Sequence, residues 1–400
     1  FWRENDLEEL RMIDYSKVIA PLVSVVPPSG IRKYFGIAET MPDAISLGVG
    51  EPDFVTPEHI RQAGIESLNQ GKTQYTANNG LIVLRREIAK YLENRFSCSY
   101  NPDDEIVVTV GGSEAIDLCI RAFLTVGDEF LVPEPSFVCY GPLASITGAK
   151  PVPIKTTKED SFKLTPAALK AAITPKTKAL LWSYPNNPTG AVMTRDELME
   201  IAKVLEGTNI VVISDEIYAE LSYGLKHTSF ASLPGMRERT VLVSGFSKAF
   251  AMTGWRLGYC CGPRELIQPI ARIHQYAMMC ASSPAQYAGI EALQHGIPDA
   301  EYMAEKYNER RQFMYKSLLD LGFDCFEPQG AFYIFPDVSM FAKDGTAFVE
   351  ELLEKEHVAV VPGEAFGESG RNHVRISYAY SLEALKKAMD RIASFVQGKK

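Results

Sequence analysis

Nowhere does this sequence carry an apolar run approaching the roughly 18 residues that a membrane-crossing helix requires, so no membrane helix is expected. It does not open on the basic and then apolar pattern of a secretory leader. Phe1 stands first instead of methionine, which leaves the true N-terminus open. Basic residues are outnumbered, 41 Lys and Arg against 50 Asp and Glu, for a net charge of −9, and no basic cluster breaks that balance. A nucleic-acid partner is therefore not expected. Cysteine is sparse: seven residues, scattered without a CxxC pair and set mostly in apolar surroundings such as "LGYCCG" and "DLCIRAF". That usage suits reduced, packed thiols in a cytoplasmic protein and argues against a disulfide frame. Only six histidines occur, none spaced as ligands beside acids or thiols, so no metal site is expected. Internal repeats and low-complexity linkers are missing as well.

What is present is a globular composition, 46% hydrophobic and 23% charged, over 400 residues, a length that suggests two domains. From about residue 105, short β-rich runs alternate with amphipathic stretches: "EIVVTV", "EFLVPEP", "KPVPI", "KALLWSY", "NIVVISDEIY", "TVLVSGFS" and "RLGYCCG". Seven such runs predict an α/β fold with a mostly parallel seven-stranded sheet covered by helices and joined by right-handed crossovers. Beyond about residue 283 the texture changes. A long helical run, "AEYMAEKYNERRQFMYKSLLDLG", is followed by strands "GAFYIFP" and "HVRISY" alternating with helices "GTAFVEELLEKE" and "SLEALKKAMDRIASFV". The reading is a large domain over residues 51–290 and a smaller α+β domain over 1–50 and 291–400. The proline-rich N-terminal arm, "APLVSVVPPSG", is expected to pack on the smaller domain or on a neighbour.

Polar motifs sit where strands end, the usual ligand edge of an open α/β sheet. The most telling is "SGFSKAFAMTGWRLGY", in which Lys248 stands in an otherwise uncharged run with Arg256 eight residues on. Burying an ammonium costs several kcal/mol, so such a lysine is either a misplaced charge or a reactive amine. "VGGSEAID" puts Gly111, Gly112, Ser113 and Glu114 at a strand-to-helix turn, which is either a phosphate site or an ordinary helix start capped by Ser113. "SYPNNPTG" makes a stiff loop around Asn187. "VVISDEIY" ends a strand in Asp215, with Tyr218 three residues on, for chemistry or for capping. In "FVCY", Phe137 and Tyr140 read more readily as core than as cofactor contacts, and Arg375 in "NHVRISY" reads most simply as part of a solvated strand face.

Taken together and in order, "SLGVGEPDF", "GGSEA", "NNPTG", "DEIY", "GFSKAFAMTGWRLG" and "RIS" resemble the class I aminotransferases, pyridoxal-phosphate enzymes of the aspartate aminotransferase fold type, from about Ser46 to Tyr378. The resemblance implies a cofactor, pyridoxal 5'-phosphate, and transfer of an amino group from an L-amino acid to a 2-oxo acid by a ping-pong mechanism. Lys248 would be the Schiff-base lysine and proton shuttle, and Asp215 would hold the pyridine nitrogen. Tyr218 and Asn187 would bond the phenolic oxygen. Gly112, Ser113, Glu114, Ser247 and Arg256 would receive the phosphate, with Phe137 stacked on the ring. Arg375, with Gly50 and Asn187 beside it, would take the substrate α-carboxylate. Tyr75 in "GKTQYT" would reach the neighbouring active site of a homodimer. A β-lyase or other α-carbon chemistry on the same cofactor stays open, and more remotely a cofactor-binding regulatory domain. Aspartate, aromatic, branched-chain and diaminopimelate-type donors are all compatible. Ser113 stands where some aspartate-selective members carry lysine.

Overall fold

The structure, a computed structural model, describes residues 13–28, 30, 31, 41 and 43–399. Much of the expected N-terminal arm, residues 1–12 and 32–40, lies outside the described residues. The strands in chain order are β1 (Ile45–Ser46), β2 (Ile106–Thr109), β3 (Glu129–Glu134), β4 (Lys150–Lys155), β5 (Thr177–Ser183) and β6 (Val211–Asp215), then β7 (Thr240–Gly245), β8 (Gly258–Cys261), β9 (Tyr333–Ile334), β10 (Val358–Ala359), β11 (Val361–Pro362) and β12 (Val374–Ser377). Seven of them form one sheet in the order β2-β8-β7-β6-β5-β3-β4. Each of the seven expected runs supplies one strand. Only β8 runs antiparallel to its neighbours, β2 and β7; β3, β4, β5, β6 and β7 pair in parallel. The α/β class with a mostly parallel sheet is the fold.

A parallel sheet has to be covered on both faces, and β2, β7 and β8 are accordingly buried at every position. Helices Gly111–Phe123 and Arg264–Ala277 press Ile116, Ile120, Ile267 and Ile270 against Val107, Val241 and Val243 on one face. Helices Glu58–Asn69, Ile82–Phe96 and Ser283–His295 bring Ile60, Ile88, Leu92 and Ala288 against Val108 and Leu242 on the other. At about 1.5–3 kcal/mol for each large side chain buried, these two layers supply the main drive to fold. Strand β4 is one of the two sheet edges, and its sequence "KPVPIK" suits that place, because Pro151 and Pro153 cannot donate to a further strand.

A second core gathers around the three-stranded sheet β11-β12-β9, where Tyr307, Met314, Phe348, Leu352, Ile376, Leu385 and Phe395 pack together. The boundary expected at 290/291 falls inside the unbroken helix Ser283–His295, whose Ala288 and Ala292 belong to the first core. The change of core comes later, along the helix Ile297–Leu321: Ala300 still packs with the first core and Met303 with the second. The described part of the arm packs sparsely. Its short helix Pro21–Ser24 lies beside helix Tyr140–Ile146 of the first layer with no buried residue, and only Ile31 is buried, among Trp182, Phe335 and Phe366. Through Ile31, clustered with Val361 and Phe366, the described part of the arm meets residues of the smaller domain. All seven cysteines are free. Among the described residues no helix is long and apolar enough to cross a membrane, and no cluster of three or more metal-ligating side chains occurs.

Candidate active site

Strands β5, β6 and β7 end side by side at Ser183, Asp215 and Gly245, and the cleft beyond them has a volume of about 440 Å³. It brings together Gly50, Gly112, Ser113, Phe137, Asn187, Asp215, Tyr218, Ser247, Lys248, Arg256 and Arg375. Two of the expected residues are not in its lining, Glu114 and Tyr75.

One end of the cleft sets a helix start beside a guanidinium, groups that attract an anion. Strand β2 turns at Gly111 into the helix Gly111–Phe123, directing backbone N–H groups and the positive end of the helix into the cleft. Gly111 has φ +79°, and a Cβ there would stand 2.5 Å from Arg256 Nη2, so the glycine is what lets the guanidinium lie against the helix start. Arg256 Nη1 is steadied by Thr253 O at 3.0 Å, and both Arg256 and Ser113 remain exposed at the mouth. The Glu114 side chain faces the other way. It accepts from the backbone N–H of Val110 and lies 2.7 Å from His274 Nδ1, so only its amide is left for this end of the cleft.

The floor is built on Asp215. Its Oδ2 accepts from the Tyr140 hydroxyl at 2.7 Å and its Oδ1 from Ile217 N at 3.2 Å. Burial pushes this carboxyl up to about 6, and the Tyr140 hydrogen bond offsets only part of that rise. Phe137 packs edge-on to Tyr140, ring centroids 5.8 Å apart. The pair serves both readings of "FVCY", since each ring belongs to the core and also lines the cleft.

In the loop after β5 two consecutive asparagines divide the work. Asn186 builds the turn, its Oδ1 accepting from Thr189 N at 3.1 Å and Thr189 Oγ1 at 2.8 Å. Asn187 faces the cleft and accepts from Arg375 Nη1 at 2.9 Å. Arg375 is not on a solvated face: β12 is the middle strand of its sheet, and the residue is 2% exposed. Its Nη2 donates to Gly48 O at 2.5 Å, and its guanidinium lies 4.5 Å from the Tyr333 ring centroid and 4.7 Å from that of Phe366. Its Nε is buried with no hydrogen-bond partner.

Lys248, just past β7, donates from Nζ to Gly50 O at 2.6 Å. Burial lowers its ammonium to about 8; Arg375 and Arg256 push the same way, and Glu51 and Asp215 oppose them. The amine is thus half-buried and easily neutralised, which is what a nucleophile needs. Tyr140, Tyr333, Glu51 and Thr253 also line the cleft, and of these only Tyr140 was named from the sequence, and then as core. Tyr140 was visible in "FVCY", but its bond to Asp215 depends on a chain separation of 75 residues. Tyr75 is 80% exposed and far from forming part of its own chain's cleft lining.

Comparison with known proteins points the same way as this geometry. The family model for "Aminotransferase class I and II" matches residues 42–392. YugH of Bacillus subtilis (strain 168), provisionally named an aminotransferase, is 51% identical over 378 residues, covering 94% of this chain and 98% of its own. The aspartate aminotransferase of Pyrococcus abyssi is 44% identical over 381 residues, with coverage of 94% and 98%. The solved aspartate aminotransferase of Thermus thermophilus with maleate superposes with a TM-score of 0.90 at 38% identity, covering 94% of this chain and 99% of that one. With a half-buried amine, a buried acid and a helix start beside a guanidinium in one cleft, and with these likenesses across nearly its whole length, the chain belongs to the class I and II aminotransferases, enzymes that use pyridoxal phosphate to move an amino group between an amino acid and a 2-oxo acid.

Proposed function

We propose that this cleft is where the amino transfer occurs, with Lys248 holding the cofactor and moving the proton. The observation that carries the reading is the Lys248 amine itself, half-buried, 2.6 Å from Gly50 O and in the field of Arg375, Arg256 and Asp215. The surrounding residues fit pyridoxal phosphate group by group. A phosphate dianion suits the cradle of Gly112, Ser113, the Glu114 amide, Ser247 and Arg256. A protonated ring nitrogen suits Asp215, whose bonded partners, Tyr140 and Ile217 N, carry no charge. An aromatic plane suits Phe137. When bound, the cofactor supplies an aldehyde for the amino group and a ring that withdraws electrons from the substrate α-carbon.

The chain's own residues do the rest. Arg375 grips the substrate α-carboxylate, and its unpartnered Nε is the donor such a carboxylate would satisfy. Asn187 has its Oδ1 occupied by Arg375, which leaves its amide N–H groups to donate, with Tyr218, to the phenolic oxygen. Lys248, with its ammonium lowered to about 8, takes the α-proton as a neutral amine and returns it. A cofactor-loaded sample mixed with an amino acid alone should release one equivalent of 2-oxo acid, then recover its spectrum on addition of a different 2-oxo acid. Sustained release of pyruvate and ammonia without any acceptor would instead make the chain a lyase. Running the same assay over acidic, aromatic, branched-chain and diaminopimelate-type donors, against 2-oxoglutarate and pyruvate, assigns the substrate.

Asp215 gives a pH signature. Its raised value, about 6, means that the carboxylate is lost as pH falls through 6, and with it the charge that holds the ring nitrogen's proton. Cofactor uptake by the apoprotein should therefore weaken below pH 6. In Asp215→Asn uptake should be weak throughout and lack that part of the pH dependence. Absorbance titrations from pH 5 to 8 check both.

The reading includes a homodimer with shared sites. Tyr75 stands on an exposed loop tied to a second one, Asn78 Nδ2 donating to Met279 O at 2.8 Å and Ser283 Oγ to Gln74 O at 2.7 Å. Tyr276, Met278 and Met279 add exposed apolar surface there, the kind that marks an interface. A second copy seated on it would receive the Tyr75 hydroxyl at its phosphate. Light scattering should give a dimer, and Tyr75→Phe should weaken cofactor binding roughly tenfold to a hundredfold, as expected for a hydrogen bond to a charged group. A fully active monomer rules the shared site out.

A further inference from the structure

Tyr333 is a buried phenol, 1% exposed, that touches both halves of the site at once. Its hydroxyl lies 2.7 Å from the Tyr218 hydroxyl, and its ring lies under the Arg375 guanidinium. Gly50, whose carbonyl holds Lys248, is shaped around it: a Cβ there would fall 2.2 Å from the Tyr333 oxygen. No other hydrogen bond to the Tyr333 hydroxyl occurs among the described residues.

Two phenols at 2.7 Å share one proton between their oxygens, and either can be the donor. The choice matters, because each phenol has a single proton to give. If Tyr218 donates to Tyr333, Tyr218 has no proton left for a ligand and only the Tyr333 proton stays free. If Tyr333 donates to Tyr218, the Tyr218 proton is free to point into the cleft, and the accepted bond polarises it into a better donor. We propose that Tyr333 is a positioning residue for the reaction: by donating to Tyr218 it turns the Tyr218 proton toward the cofactor's phenolic oxygen. The inference rests on the role given to Tyr218 above. It also ties the carboxylate anchor to the proton chemistry, because the ring that stacks on Arg375 is the one that orients Tyr218.

The test is a spectrophotometric pH titration of the cofactor-loaded protein, which reads the proton shared between the lysine-linked nitrogen and the phenolic oxygen. Donation by Tyr218 to that oxygen competes for the proton and lowers the midpoint, so weakening it must raise the midpoint. Tyr333→Phe keeps the ring over Arg375 and removes only the hydroxyl. Its midpoint should rise by about half a unit to one unit, the shift corresponding to a hydrogen bond of ordinary net strength. The same change in a Tyr218→Phe background should move the midpoint no further. KM for the amino donor should stay near the wild-type value while kcat falls, because the carboxylate grip is intact. An unmoved midpoint in Tyr333→Phe, or an equal rise with and without the Tyr218 hydroxyl, overturns the proposal. If Tyr218→Phe itself leaves the midpoint unchanged, the Tyr218 assignment fails, and this proposal falls with it.

Discussion

Lys248→Ala should lose transamination by more than about a thousandfold, since it removes the group that carries the proton as well as the one that holds the cofactor. Folding should survive, because alanine replaces a charged side chain whose burial is itself costly, and its one direct hydrogen bond, to Gly50 O, leaves a carbonyl that water entering the cleft can reach. The wild-type protein should absorb in the visible as the lysine-bound cofactor and lose that band on borohydride reduction, with the label found on Lys248 by peptide mass. The variant should still take up pyridoxal phosphate through the cradle at Gly112, Ser113 and Arg256, but without the covalent label. Full activity in a cofactor-loaded Lys248→Ala protein would sink the assignment of the amine.

Arg375→Lys is the second large effect. The guanidinium is fixed from several sides: Asn187 Oδ1 at 2.9 Å, Gly48 O, and the rings of Tyr333 and Phe366. A lysine keeps the charge but has no planar fork to lie between two rings, and it cannot meet a carboxylate with two parallel bonds. A buried carboxylate left with a poor partner costs about 2–5 kcal/mol, or roughly thirty- to several-thousand-fold in kcat/KM. The loss should be equal for donor and acceptor half-reactions and absent for amines that lack a carboxylate. Cofactor affinity should change little, because Arg256 serves the other anion. If carboxylate-free amines suffer as much, Arg375 is a structural residue.

Much of this was legible in the sequence, for reasons that differ from place to place. The helix Gly345–Glu356 was readable to the residue, because its apolar period and the Asp344 cap both speak at short range. Lys248 was readable because a lone charge in an uncharged run has few explanations. Arg375 as a bare strand residue was misleading. Polar alternation around it suggests an exposed face, yet the rings of Tyr333 and Phe366 and the backbone at Gly48 cover the guanidinium, and only tertiary packing reveals that. Glu114 could be placed at the cradle but not oriented, since its partner His274 is 160 residues away. Tyr333 was hidden more deeply. In "GAFYIFP" it looks like any strand aromatic, and its task appears only when β9 pairs with β12 and meets Tyr218 across 115 residues of chain. Local propensity decides elements, whereas long-range register decides which side chains share a cleft.

The bonds that close the cleft span long stretches of chain: Lys248 to Gly50 across 198 residues, Arg375 to Asn187 across 188, and Arg375 to Gly48 across 327. Contacts of such sequence separation form late, because the entropy of closing each loop must be overcome before any bond rewards it. A chain emerging from the ribosome exposes its lysine long before its last strand exists. Until β12 docks, that amine lacks the Arg375 charge that helps to lower its ammonium. A fragment ending before Arg375 would lack the guanidinium on which the proposed carboxylate grip depends.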